Sequence, residues 1–144
     1  MSNIRIETAD WERDQLQLIE VRTRVFVDEQ HVPTELEIDG QDPQCRHVKA
    51  IEPESGKIIG TARLLPGHHV GRMCVLKPYR NLGIGAQMLE YFIALAQTEH
   101  MPFLALNAQI SALPFYQKHG FVADSEIFME AGIPHQHMTL TFSE

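Results

Sequence analysis

An arginine and two glycines at fixed spacing are the residues of this chain best suited to hold an anion. Arg80, Gly83 and Gly85 lie between an apolar stretch, 70–76, and an amphipathic helix predicted over 83–99. The first N–H groups of a helix lack internal partners and the dipole is positive there, so a pyrophosphate meets several donors. Glycine allows close approach of the backbone, and an arginine can bind two oxygens at once. The pattern therefore predicts a phosphate site.

Two better-known phosphate motifs do not fit these residues. A dinucleotide-binding fingerprint requires a third glycine three positions after Gly85, where the chain has Met88. A P-loop requires Gly-Lys-Ser/Thr, whereas Ala86 and Gln87 follow Gly85. The site is thus neither of these.

The elements that must position the site are a mixture of strands and helices. Apolar periodicity, with Asp10 as a helix cap, predicts strands at 4–8, 47–52, 57–65, 70–76, 103–107, 122–128 and 137–142, helices at 10–27, 83–99 and 111–119, and a long loop at 28–46. Such mixing indicates an α/β or α+β sheet with helices on both faces. The length of 144 residues fits one domain, 1–144.

Composition excludes several classes of function. The net charge of −7, from 12 basic and 19 acidic residues, argues against nucleic acid as a partner. There is no apolar run long enough for a membrane span, and segment 1–7 lacks a signal core and resembles the start of a strand. Cys45 and Cys74 form no disulfide framework, which favours a cytoplasmic location.

Two stretches carry a resemblance to a known family. The first, Arg80-x-x-Gly83-x-Gly85, is similar to the acetyl-CoA-binding motif of the GNAT superfamily of N-acetyltransferases, although Asn81 stands where a basic residue or glycine is common. The second, 115–121, resembles the superfamily's closing signature around its last helix. The flanks 24–30, 37–40 and 132–135 resemble the ElaA-like branch.

The resemblance implies a GNAT fold, a mixed and mostly antiparallel sheet that is splayed where coenzyme A enters. The pantetheine arm would pair with strand 70–76, and the N–H of Met73 or Val75 would face the thioester oxygen. The donor would be acetyl-CoA, and the residues expected to contact it are Met73, Cys74, Val75, Arg80, Asn81, Leu82, Gly83, Ile84, Gly85, Ala86, Asn107 and Tyr116.

The family likeness also implies catalytic roles. Tyr116 matches a tyrosine that often acts as general acid toward the departing thiolate; otherwise it is a buried aromatic residue. Asn107 would contact the cofactor's amide or a water, or else cap the strand end. The superfamily often forms homodimers, so a homodimer is expected.

The acceptor side is predicted from charge. Six acidic residues of the long loop, with no Lys or Arg among them, would attract a cationic amine, and Glu37 or Glu29 would act as general base; the alternative is a solvated loop. The histidines show no familiar ligand spacing, so no metal is predicted. The chain is thus predicted to acetylate a small-molecule or peptide amine. The alternative is a module that binds acyl-CoA without turnover, as a sensor or interaction domain.

Overall fold

The computed structural model describes residues 4–142, which form eight strands and four α-helices. The strands are β1 (Arg5–Ala9), β2 (Arg46–Glu52), β3 (Lys57–Leu64), β4 (His69–Val75), β5 (Phe103–Gln109), β6 (Val122–Ala123), β7 (Phe128–Glu130) and β8 (Ile133–Thr141). The helices are α1 (Trp11–Arg22), α2 (Thr34–Glu37), α3 (Ile84–Thr98) and α4 (Leu113–Lys118), and a π-helical segment, Thr23–Glu29, continues α1.

All eight strands belong to one sheet. Its order is β1-β2-β3-β4-β5-β8-β6, and β7 pairs with β8. Every pair is antiparallel except β4 with β5, which is parallel. The prediction of a mixed, mostly antiparallel sheet is therefore confirmed.

Helices α1 and α3 cover the two faces of the sheet. Residues Ile58–Leu64 of β3 are buried one after another, as expected for a strand covered on both faces. Both helices pack on β3, and a strand buried on both faces needs a covering element on each side, so the two helices lie on opposite sides. On the inner face of α3, Met88, Leu89, Phe92 and Ala96 are completely buried. This packing fixes the start of α3, where the predicted phosphate site lies.

The first predicted helix is confirmed in position and corrected in form. Asp10 caps α1 through its carboxylate, which accepts a hydrogen bond from the N–H of Glu12. Beyond Arg22 the helix widens into the π-helical segment. The first strand is described from Arg5 onward, and residues 1–3 of the predicted entry to it lie outside the described part. No helix within residues 4–142 is long and apolar enough to cross a membrane.

The predicted strand 122–128 is wrong, because the structure divides it into β6 and β7. The hydroxyl of Ser125 accepts the N–H of His137 (2.9 Å), and the hydroxyl of Thr139 donates to Asp124 (2.7 Å). The bond to the Ser125 hydroxyl takes the place of a backbone bond to β8 in the gap between β6 and β7, since Ser side chains compete for backbone partners. The last strand, β8, starts earlier than predicted, at Ile133.

Candidate active site

The parallel strands β4 and β5 separate almost as soon as they meet. They pair only at His69 with Ala105 and Val70 with Leu106. Beyond these pairs the strands diverge, and a cleft of about 630 Å³ opens between them. Met73 of β4 and Tyr116 of α4 both line this cleft. The gap thus lies beside the strand at which the family resemblance implies entry of the donor.

A β-bulge in β4 lies at the mouth of the separation. Strand β3 places Arg63 opposite Gly71 but Thr61 opposite Cys74, so β4 carries one extra residue between these pairs. Arg72 has the left-handed backbone angle φ of 51°. Bulges re-aim the chain and release groups from the ladder. Met73, next in the chain, is therefore placed to present its backbone to the cleft.

The predicted phosphate loop forms the turn between β4 and α3. Gly83 is the N-cap of α3 and has a φ of 81°, a conformation that glycine adopts without penalty. A Cβ at Gly83 would meet no atom within 4 Å, and one at Gly85 would make only ordinary contacts, with Phe115 at 3.7 Å and Met73 at 3.9 Å. Packing alone does not require glycine at position 85. The open backbone there is suited to a ligand that approaches closely.

Arg80 is engaged within the protein. Its Nε donates to the carbonyl of Val75 (2.9 Å), and its two terminal nitrogens donate to the carboxylate of Glu29 (2.9 and 2.6 Å). The hydrogen bonds from Arg80 lower the pKa of Glu29, which stays ionised. Arg80 therefore ties the end of β4 to the end of the π-helical segment. A phosphate at this guanidinium would compete with Glu29.

Tyr116 lies in an apolar setting beside a sulfur atom. Its ring packs edge-to-face on Phe115 and Phe121, with centroid distances of 5.0 and 6.0 Å. Its hydroxyl points to the thioether sulfur of Met73 at 3.9 Å. Burial raises the pKa of Tyr116 to about 12, so the phenol carries its proton at neutral pH. The arrangement places a protonated hydroxyl next to a sulfur in the cleft.

The segment 28–46 differs from both expectations for it. It is neither wholly irregular nor an uncompensated acidic surface, because it contains α2 and a 3₁₀ turn at Asp42–Gln44 and its key carboxylates are paired with arginines. We call this set, Arg22, Arg63, Arg72, Glu37, Asp39 and Asp42, the ion network. Three positive and three negative side chains balance within it.

Glu37 and Asp42 are the buried members of the acidic half. Their exposed fractions are 2% and 3%. Arg22, itself 1% exposed, donates to Glu37 (3.0 Å) and to both oxygens of Asp42 (2.7 and 3.1 Å). Arg72 contacts the same Glu37 oxygen at 2.8 Å, while the other oxygen of Glu37 is buried with no hydrogen-bond partner among the described residues. Two of the six acidic residues are therefore buried in ion pairs, whereas Asp28, Glu29, Glu35 and Asp39 remain exposed.

Four polar side chains lie together at one end of the cleft, which we call the polar corner: His69, Asn107, Glu130 and His135. This cluster was not predicted from the sequence. The amide of Asn107 donates to Glu130 (3.2 Å), and His135 lies beside the same carboxylate. His69 lines the cleft with them, and burial lowers its pKa. The sequence contains no signal for this cluster, because Glu130 resembles any exposed hairpin charge. No group of three potential metal ligands occurs among residues 4–142.

The structure brings together some predicted site residues and separates others. Met73, Asn107, Tyr116 and Glu37 line one cleft. Glu29 lies outside its lining, at Arg80. Cys74 faces the interior, 5% exposed, and burial raises the pKa of its thiol to about 12.

Comparisons with known proteins agree with this architecture. The family model for the acetyltransferase (GNAT) domain matches residues 8–142. The chain is 38% identical over 120 residues to YjcF of Bacillus subtilis, an uncharacterized N-acetyltransferase, with 82% of this chain and 86% of that protein covered.

Solved structures show the same fold. A crystal structure of an acyl-CoA N-acyltransferase from Pseudomonas aeruginosa has a TM-score of 0.83 and 28% identity, over 98% of this chain and 100% of that one. Escherichia coli ElaA has a TM-score of 0.81 and 28% identity, over 96% and 99%. The resemblance found in the sequence is thus confirmed, and the chain belongs to the GNAT acetyltransferase family, whose general chemistry is acyl transfer.

Proposed function

We propose that this protein transfers an acetyl group from acetyl-CoA to an amine, which attacks the thioester directly. The observation that carries the proposal is the protonated hydroxyl of Tyr116 beside a sulfur atom in the gap between β4 and β5. A thioether is a weak acceptor, so the contact with Met73 costs little to replace. A departing thiolate would accept the same hydrogen bond far more strongly.

The residues of the phosphate loop fit the proposed donor. The space in front of Gly83 is open, and neither packing nor a left-handed backbone angle explains glycine at position 85. A bound pyrophosphate would account for both, because a side chain there would prevent its contact with the backbone amides. The amides assigned to it belong to Leu82, Gly83, Ile84, Gly85 and Ala86.

The bulged strand supplies the remaining donor contacts. Acetyl-CoA, when bound, supplies an activated acyl group. The N–H of Met73 or Val75 would stabilise negative charge on the thioester oxygen, and the free edge of β4 would pair with the pantetheine arm. Tyr116 would give its proton to the leaving sulfur. Asn107 is assigned a supporting contact to the cofactor or a water.

Two residues, Glu37 and Glu29, are candidates for the general base that takes the proton of the attacking amine. Of the two predicted candidates, Glu37 lines the cleft, whereas Glu29 is held at Arg80. The unpartnered oxygen of Glu37 is the feature that favours it. Its ion pairs with Arg22 and Arg72 oppose this role, because both arginines already contact its Oε2.

Ligand-induced stabilisation and thiol release test the proposal together. A hundredfold excess of acetyl-CoA over its Kd should stabilise the fold by about 2.7 kcal/mol, seen as a higher Tm. Release of thiol with a panel of amines should follow. Stabilisation without release would favour the alternative, a sensor of acyl-CoA, and no stabilisation would refute the donor assignment. The cytoplasmic location and the homodimer stay predictions.

A further inference from the structure

One carboxylate in the cleft is left without a strong cation. Three carboxylates line it, and two of them, Glu37 and Asp39, are paired with arginines of the ion network. The third, Glu130, has no arginine or lysine within 4 Å among residues 4–142. Its side chain is about half exposed, at 49%. The negative charge available to an acceptor therefore lies on the β7–β8 hairpin and not on the acidic loop.

The neighbours of Glu130 orient its two oxygens. Asn107 donates to Oε1 at 3.2 Å, which directs Oε2 toward His135. Nδ1 of His135 lies 2.7 Å from the carbonyl oxygen of Ile133. A carbonyl can only accept, so Nδ1 carries the hydrogen and Nε2 of the neutral ring presents a lone pair.

Two acceptors consequently face each other across the corner. Oε2 of Glu130 and Nε2 of His135 are 3.8 Å apart, too far for a mutual hydrogen bond. A nitrogen with two N–H groups could lie about 2.9 Å from each and donate to both. His135 is 6% exposed, so one of the two acceptors is already removed from bulk water. Such a pair is suited to an ammonium group.

We propose that Glu130 and His135 form a subsite for a second cationic nitrogen of the acceptor, one that is not itself acylated. The preferred acceptor would then be a diamine or a molecule with two similarly spaced ammonium groups. This inference rests on the proposed function, because it assumes that an amine is acylated at Met73.

The sheet sets the spacing between the two nitrogens. Asn107 lies on β5, next to β4, and is paired with His137 on β8. The Glu130 carboxylate contacts Asn107, so it lies over β5 and β8. Adjacent strands are about 4.8 Å apart, which places the subsite roughly 5–10 Å from β4. A spacer of several methylene groups between the two nitrogens is needed to cover that distance. A monoamine has no second charged nitrogen and cannot use the subsite.

A comparison of two amines of matched length tests the subsite. Butylamine and diaminobutane are acylated by the wild type, by Glu130→Gln and by Glu126→Gln, and kcat/KM is measured for each. Glu126 is an exposed carboxylate near the same hairpin that does not line the cleft, so its variant matches the loss of charge. We expect Glu130→Gln to lower kcat/KM for diaminobutane by about tenfold to a hundredfold and to leave butylamine within a factor of two or three. Glu126→Gln should change neither.

A charge reversal and a binding measurement complete the test. Glu130→Lys should transfer the preference from diaminobutane to aminobutanoate, whose far end is a carboxylate. Equal losses for the two amines in Glu130→Gln, or an unchanged preference for diaminobutane, would overturn the subsite.

Calorimetric titration of diaminobutane, with butylamine as the reference, reads the subsite without turnover. Glu130-dependent binding with no thiol release would refute acetyl transfer and retain the subsite. Thiol release with no dependence of diaminobutane binding on Glu130 would retain acetyl transfer and refute the subsite.

Discussion

The substitution Glu37→Gln separates a structural role of this residue from a catalytic one. Glu37 is 2% exposed and contacts Arg22 at 2.8 Å and Arg72 at 2.8 Å. Glutamine keeps the shape of the side chain and removes its charge. Arg22, at 1% exposure, would keep only Asp42 as a buried counter-ion. The ion network would then carry a net positive charge inside the protein.

The expected loss in the free energy of unfolding follows from the burial of Glu37 and from the one buried partner, Asp42, that Arg22 would keep. Breaking a buried ion pair by removing one member costs about 3–5 kcal/mol. Asp42 still binds Arg22 through two hydrogen bonds, of 2.7 and 3.1 Å, so we expect the lower end, about 3 kcal/mol. For a domain of this length that corresponds to a fall in Tm of about 10 °C.

Urea unfolding and thermal scans measure this loss, with Glu35→Gln as the control. Glu35 lies in the same short helix and is exposed, so its variant has the same net charge and should stay within about 0.5 kcal/mol of wild type. A loss below about 1 kcal/mol in Glu37→Gln, combined with a flattened acidic limb of the pH–rate profile, would refute the structural reasoning. That result would identify Glu37 as the general base.

Three further results are expected. Tyr116→Phe should lower kcat and kcat/KM together by about 10²- to 10⁴-fold while the Tm shift with acetyl-CoA survives; full activity would place the acid elsewhere. Gly85→Val should abolish that Tm shift in an otherwise folded protein, since its Cβ meets only ordinary contacts, whereas Gly67→Val, away from the loop, should keep it. Hydrogen bonds from Arg63 lower the pKa of Asp39. The contribution of the ionised Asp39 to stability is therefore fully present above pH ~4 and is lost as the pH falls further. In urea unfolding at pH 6, 4 and 3, Asp39→Asn should therefore show a smaller acid-dependent loss than wild type.

The sequence predicts most of the local structure because local structure has local causes. Asp10 caps α1 as expected, and Gly83 begins α3 within one residue of the predicted start. The hairpin of β2 and β3 follows from two strand-like runs on either side of the turn 53–56. In each of these cases the deciding residues are neighbours in the chain, so a pattern in the sequence is sufficient.

The acidic segment shows where such prediction ends. No Lys or Arg lies between the first and the last of its six carboxylates, Asp28 and Asp42, and charge patterning alone therefore indicates either a lid or a solvated loop. Three of them, Glu37, Asp39 and Asp42, pair with arginines that come from α1, β3 and β4, and only the fold brings these residues together. The same reason conceals Glu130, whose neighbour Asn107 is 23 positions away.

The ion network also explains why the bulge in β4 is maintained. Arg72 has a left-handed backbone, which costs a residue with a side chain about 1–3 kcal/mol and persists only where surrounding contacts enforce it. Those contacts are the carboxylate of Glu37 at 2.8 Å and the carbonyls of Leu36 and Glu37 at 3.1 and 3.0 Å. Since Met73 follows Arg72, the same contacts set the direction of the backbone that would face the thioester. The acidic segment can therefore affect catalysis by stabilising β4, even if none of its carboxylates touches a substrate.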